Sequence, residues 1–231
     1  MGNILAVLGV GALLGFQHAF EPDHLAAVST LATRTPRLGA ALRLGLAWAL
    51  GHTASVGVVA LAIIALNLRL PEALAPAAET LVALLLVTLG AAVIARYARG
   101  RWHVHAHSHA EAPGPHLHLH SHAHDPSHRH AHARADTRRS LGFGLLHGLA
   151  GSAAVLLLLV AAADTRGRQL GFFLAFGAGT VLGMLLVTVG IASVVRVASR
   201  GSARWATALH LTAAAASVVA GVSLGVRVWV R

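Results

Sequence analysis

Gly15-Phe16-Gln17-His18-Ala19-Phe20-Glu21-Pro22-Asp23-His24-Leu25-Ala26-Ala27-Val28 sets two imidazoles, two carboxylates and a proline inside an apolar segment that runs from Ile4 to Leu31 without a Lys or Arg. An ionised carboxylate at the centre of a membrane helix costs roughly 2.5–3.5 kcal/mol on insertion scales, so such a residue faces a cavity or a ligand rather than lipid. On a straight helix His18 and Asp23 lie roughly 140° apart, and His18 and His24 roughly 120° apart in the other sense. A regular helix therefore scatters them. Pro22 has no N–H for the carbonyl four residues earlier, that of His18, and its ring crowds the same carbonyl. The helix is predicted to break between His18 and Pro22, freeing the His18 carbonyl and turning His18, Asp23 and His24 toward one point, with Glu21 and Pro22 beside it. Irregular backbone at membrane depth is tolerated where it is buried in protein or lines a polar cavity. Imidazoles with a carboxylate suit a borderline divalent ion such as Ni, Co or Zn better than Mg or Ca. The bland alternative is a kinked helix whose polar groups satisfy one another.

Around this stretch the chain of 231 residues is 56% hydrophobic and 11% charged, a membrane-protein composition. Cysteine is absent, which excludes disulfides, Cys-based zinc sites and thiol chemistry. Every one of the 18 basic residues is Arg, and the formal net charge is +10. The arginines gather at the ends of apolar segments, so the charge speaks for membrane topology and anionic lipid headgroups and not for nucleic acid. Met1-Gly2-Asn3 lacks the basic region of a signal peptide, and the first apolar segment is expected to be retained.

Six apolar segments can each supply the ~20 residues of a membrane-spanning helix. They lie at 4–31, 40–66, 74–98, 141–163, 169–195 and 203–226. The predicted fold is an all-α polytopic membrane protein with six transmembrane helices, the first of them broken. Arg34, Arg37, Arg43, Arg96, Arg99, Arg101, Arg129, Arg134, Arg138, Arg139, Arg196, Arg200 and Arg204 fall after segments one, three and five; Arg69, Arg166, Arg168, Arg227 and Arg231 fall on the other side. The positive-inside rule then puts the termini outside and the central loop in the cytoplasm of a multi-pass cell-membrane protein. Leu14-Gly15-Phe16 recurs as Leu141-Gly142-Phe143, and Leu44, Gly45, Ala49, Gly51 and Gly57 recur as Leu170, Gly171, Ala175, Gly177 and Gly183. Three segments per copy is odd, so a duplication implies a 3+3 inverted repeat of the transporter kind. Three regions follow: a first three-helix repeat at 1–99, a disordered His-rich loop at 100–139 and a second three-helix repeat at 140–231.

Further polar groups sit inside the apolar segments: His52 with Thr53 and Ser55 in segment two, and His147 with Ser152 in segment four. His52 is the better candidate for a fourth ligand, because the repeat sets segment two beside segment one. His147, Thr53, Ser55 and Ser152 are candidates for the path. His147 does not align with His24, for the second copy carries Gly151 there, so the halves are chemically unequal. The loop holds 12 of the 17 histidines, His103, His105, His107, His109, His116, His118, His120, His122, His124, His128, His130 and His132, amid Pro, Gly, Ser and Ala that cannot build a core. Imidazoles at that density make a multivalent, exchangeable metal-binding segment.

These residues resemble the signature of the nickel/cobalt transporter (NiCoT/NicO-type) family, with its urease-accessory and nickel-efflux relatives. His18, four residues, Asp23-His24 and then Leu25-Ala26-Ala27 is similar to its first motif, and Leu50-Gly51-His52-Thr53 to its second. The resemblance implies a Ni2+ or Co2+ substrate selected by the first motif, six helices and no enzymatic activity or organic cofactor. The central His-rich loop is similar in layout to the efflux branch, the Asp-His ending to the uptake branch. Leu146-His147-Gly148-Leu149-Ala150-Gly151-Ser152 departs from the uptake permeases, which carry an acidic motif there. A zinc or broad divalent-cation carrier stays open, since imidazoles do not separate Ni, Co and Zn. A membrane-embedded acyltransferase shares the His-x4-Asp spacing but needs a substrate-holding globular domain and no second His. A metal sensor or storage protein would rest on the loop. The partners called for are membrane lipid and metal ions, with a cytoplasmic metallochaperone or a second copy of the chain as further candidates.

Overall fold

The computed structural model describes residues 4–32, 38–66, 74–99, 103–109, 112–120, 136–149, 165–201 and 203–230. The first segment forms two helices, α1 (Ile4–His18) and α2 (Pro22–Ala32), bent by 55° across residues 19–21. The physical cause is at the junction. Pro22 takes the first helical position of α2, where a missing N–H costs nothing, and the Glu21 carbonyl accepts the Leu25 N–H at 2.9 Å to start the new helix. One expectation is corrected here. The His18 carbonyl is not left free, because the chain tightens into a turn and the Glu21 N–H donates to it at 3.1 Å, with Phe20 N–H donating to the Gln17 carbonyl at 2.9 Å. Helix ends commonly close their last carbonyls with such shorter bonds.

Helices α3 (Leu38–Leu66), α4 (Leu74–Ala98), α5 (136–149), α6 (Arg166–Gly201) and α7 (Ala203–Trp229) follow the predicted segments closely. Among the described residues α3, α4, α6 and α7 are each long and apolar enough to cross a membrane, and the bent pair α1–α2 makes a fifth span when counted as one. The fourth predicted segment is described only as far as 149. Leu13, Val58, Leu84, Leu174, Leu186 and Val194 lie exposed on the outside of the bundle, as expected where the solvent is lipid.

Lipid tails offer no hydrophobic drive between apolar helices, so close backbone approach must supply the packing. Along α1 and α6 the glycines are reciprocal: a Cβ on Gly15 would overlap the Phe176 backbone, and one on Gly179 the Ala12 carbonyl. Helices α5 and α3 meet in the same way, with Gly144 against the Trp48 carbonyl, Gly148 against the His52 carbonyl and Gly51 against the Leu141 carbonyl. Between α4 and α7, Gly90 faces Ala214 and Gly221 faces Ala83. Hydroxyls tie the same pairs: Ser140 donates to the Leu44 carbonyl at 2.7 Å and Ser217 to the Leu86 carbonyl at 2.9 Å. Thr30, Thr180 and Thr188 donate to carbonyls four residues back in their own helices, which leaves no polar hydrogen facing the core.

The region 100–139, predicted to be without structure, contains an antiparallel pair of strands, β1 (His103–His109) and β2 (Ala112–His120). His103 pairs with His120, His105 with His118 and His107 with His116, with an irregularity between His107 and His109. His-x-His alternation has the period of a strand. His122, His124, His128, His130 and His132 lie outside the described residues, as does Ser152. Helix α5 begins at 136, ahead of the boundary drawn at 140.

Candidate metal centre

Four buried histidines and one aspartate converge on the break. His18 ends α1, Asp23 and His24 open α2, His52 lies midway along α3 and His147 lies near the described end of α5. His18, His24, His52 and His147 are all buried, and Asp23 keeps 21% of its side-chain surface. The bend does what a straight helix cannot: the His18 and His24 rings, six residues apart, meet edge to face with centroids 4.4 Å apart. Helix α3 adds His52, its Nε2 3.3 Å from Nε2 of His18 and its ring centroid 4.9 Å from that of His24. Helix α5 adds His147, 4.4 Å from the His24 ring and 3.1 Å through Nε2 from Oδ2 of Asp23. Gly144 and Gly148 make this reach possible, since they seat α5 directly on the turn of α3 that carries Trp48 and His52.

Five side chains thus form two overlapping groups. His18, His24 and His52 can each offer a ligand atom within 4.8 Å of the others, and so can Asp23, His24 and His147. The predicted ligands His18, Asp23, His24 and His52 are neighbours, yet Asp23 falls with His147 and not with His18 and His52. His147, ranked behind His52 from sequence, stands equally close to the centre. Its position depends on the α3–α5 contact, for which the sequence signal was the Gly144-x3-Gly148 pair flanking it.

Carboxylates set the ring orientations. Oε1 of Glu21 lies 2.9 Å from Nδ1 of His18, and Oδ1 of Asp23 lies 3.2 Å from Nδ1 of His24. A ring that donates Nδ1–H to a carboxylate carries its lone pair on Nε2, the usual way of aiming a histidine at a cation. Nε2 of His24 and Nδ1 of His52 are buried without a hydrogen-bond partner among the described residues. Leaving such nitrogens unpaired is costly in a protein interior, and a ligand is the ordinary explanation for it.

The wall is aromatic. Trp48, fully buried one turn before His52, has its ring centroid 5.6 Å from His24, 6.2 Å from His52 and 5.5 Å from His147. Phe176 of α6 closes the other side, 5.4 Å from His18. Neither was singled out from sequence, although Trp48 and His52 are one helical turn apart and so share a face. Of the remaining path candidates, Ser55 donates to the His52 carbonyl at 2.9 Å, and Thr53 is half-buried with its hydroxyl unpaired among the described residues and its methyl group facing Gly177. Pro22 is exposed and serves the bend.

Among known proteins, a family model described as high-affinity nickel-transport protein, NicO, matches residues 4–222. The urease accessory protein UreH of Bacillus sp. (strain TB-90) is 31% identical over 186 residues, which cover 80% of this chain and 76% of that one. No solved structure matches. With the family match running from the first residue of α1 almost to the end of α7, over the whole of the helical bundle that builds the centre, the chain belongs to the NicO family of high-affinity nickel-transport proteins.

Proposed function

We propose that this protein moves a divalent transition-metal cation, Ni2+ and/or Co2+, across the membrane, and that His18, Asp23, His24, His52 and His147 bind it on the way. The observation that carries the site assignment is the break at residues 19–21, which gathers buried imidazoles from α1, α2 and α3 within 4.8 Å inside a bundle with a lipid-facing exterior. Buried imidazoles with one carboxylate and no cysteine form a borderline donor set, suited to Ni, Co and Zn. The ion is substrate rather than resident cofactor, and the protein makes or breaks no covalent bond in it.

The helix pairing supports six spans in a 3+3 inverted repeat. Exchanging α1 with α5 and α3 with α6 turns the α1–α6 contact into the α5–α3 contact, each built on close glycines, and the α4–α7 contact maps onto itself. Arginine asymmetry supports termini outside and a cytoplasmic loop. The loop histidines, from His103 to His132, act there as an exchangeable reservoir. A metallochaperone or second copy of the chain would engage the protein from that side.

The test is elemental analysis of cells at low external metal, expressing wild type or Asp23→Asn. Wild type should change cellular Ni or Co severalfold. Asp23→Asn, inserted to the same level, should abolish the change, because the cation loses its only anionic ligand. A wild-type rise means uptake and a fall with metal tolerance means efflux. Normal flux in Asp23→Asn, or movement of Zn alone, refutes the assignment.

A further inference from the structure

Five potential ligands around one point invite a single crowded site, but the atoms are not arranged that way. His24 is common to both groups, and its two nitrogens face different neighbours. Nδ1 is 3.2 Å from Oδ1 of Asp23, whose Oδ2 is 3.1 Å from Nε2 of His147. Nε2 has no hydrogen-bond partner among the described residues and is the nitrogen left to join His18 and His52. A neutral imidazole has one lone pair and one N–H.

We propose that the centre is two adjoining stations for one cation, an outer station of Asp23, His24 and His147 and an inner station of His18, His24 and His52, which share His24 and so are filled one at a time. This rests on the reading that the protein moves a divalent cation, and it adds the order of the path. The outer station is the accessible one, because Asp23 is part-exposed while the three histidines of the inner station are buried. Phe176 against His18 closes the inner one, and Trp48, against His24, His52 and His147, walls both.

The protons balance. With the cation outside, Nδ1 of His24 is a ligand and Nε2 carries the proton, so the inner station lacks its third nitrogen. With the cation inside, Nε2 is the ligand and Nδ1–H donates to Asp23, which also accepts from His147. One proton leaves Nε2 of His24 to water and one arrives at Nδ1 from water. His147, whose Nε2–H faces Asp23 when the outer station is empty, and His52, whose Nε2–H faces His18 when the inner one is empty, exchange a proton with water between their two nitrogens in the same way, so every imidazole is neutral before and after. Asp23 changes from ligand to hydrogen-bond acceptor in the same step, so a carboxylate balances the cation's charge in both positions.

The experiment uses purified full-length protein titrated with Co2+, with stoichiometry from equilibrium dialysis and ligand type from X-ray absorption. Wild type should bind one tight equivalent, ahead of the weak ones taken up by the loop histidines. His147→Gln should still bind one tight equivalent, through three imidazoles; His52→Gln should bind one through two imidazoles and a carboxylate; the double variant should keep the weak equivalents alone. Each single variant, though it binds, should lose flux by no less than the roughly 10–100-fold that disturbing even an outer-shell partner costs. Two tight equivalents in wild type overturn the sharing of His24. Loss of binding in either single variant with its helical content and monodispersity intact overturns the two stations in favour of one five-residue site, and so does wild-type flux in either. Should a histidine variant fail to fold, the wild-type stoichiometry and Asp23→Asn, expected to hold Co2+ through three imidazoles only, decide the question. Failure of the transport reading is separate: it is a wild type that changes no cellular metal content, whatever its binding pattern.

Discussion

Glu21 belongs to neither ligand group, yet its carboxylate lies 2.9 Å from Nδ1 of a buried histidine while 53% of its own side chain stays exposed. It holds the His18 ring with Nε2 facing inward and leaves that nitrogen's lone pair for the cation. Solvent competes for so exposed a partner, so the cost of its loss belongs at the low end of the range for outer-shell groups. Glu21→Ala should weaken Co2+ or Ni2+ binding about tenfold, and Glu21→Gln, which keeps an acceptor oxygen, should recover most of it by isothermal titration. Equal weakening in both variants would mean that charge, not orientation, is what Glu21 supplies. The motif residues His18, Asp23 and His24 were legible in the chain because such groups stand inside an apolar segment only when something needs them there. The division of labour among them was not, since it depends on which nitrogen each neighbour occupies.

Among the elements, the bend and the glycine contacts carry the site. Gly15 lies against the Phe176 backbone, which cannot yield as a flexible side chain would. Gly15→Ala should push α1 from α6 and lower stability by about 1–3 kcal/mol, read from thermal unfolding in detergent. Gly9→Ala, with nothing within 4 Å of the new methyl, should be neutral or gain the ~0.5–1 kcal/mol that alanine offers over glycine in a helix. A similar loss in both would trace the effect to the helix itself and not to the crossing. The break was readable from Pro22, because a missing N–H acts locally. The fate of the His18 carbonyl was not, because a tight turn can satisfy it with the Glu21 N–H.

At the scale of the molecule, the proposed division of work is between a buried centre that passes the cation and a His-rich segment that collects it. Deleting residues 103–132 should leave at least about half of the flux, and should remove several weak equivalents of bound metal at pH 7. In the intact protein those equivalents should vanish toward about pH 5, because a metal needs the neutral imidazole and protonation below its ordinary value of about 6.5 competes for the same lone pair. Loss of all flux on deletion would make the loop part of the path. The all-helical architecture, the break in the first segment and the membrane setting were determined by the sequence alone, because hydrophobic length, proline and charge act along the chain. The β1–β2 pairing was available in the same way, in the period of the histidines, but composition argued against it. Only the tertiary structure decided that Asp23 stands with His147, that His18 stands with His52, and that His24 stands between them. Asp23 and His147 are 124 residues apart, His18 and His52 are 34 apart, and His18 and His24 are turned toward each other by a 55° bend. Their meeting depends on how closely glycine lets one helix backbone approach another, a property of surfaces in contact that no single helix carries.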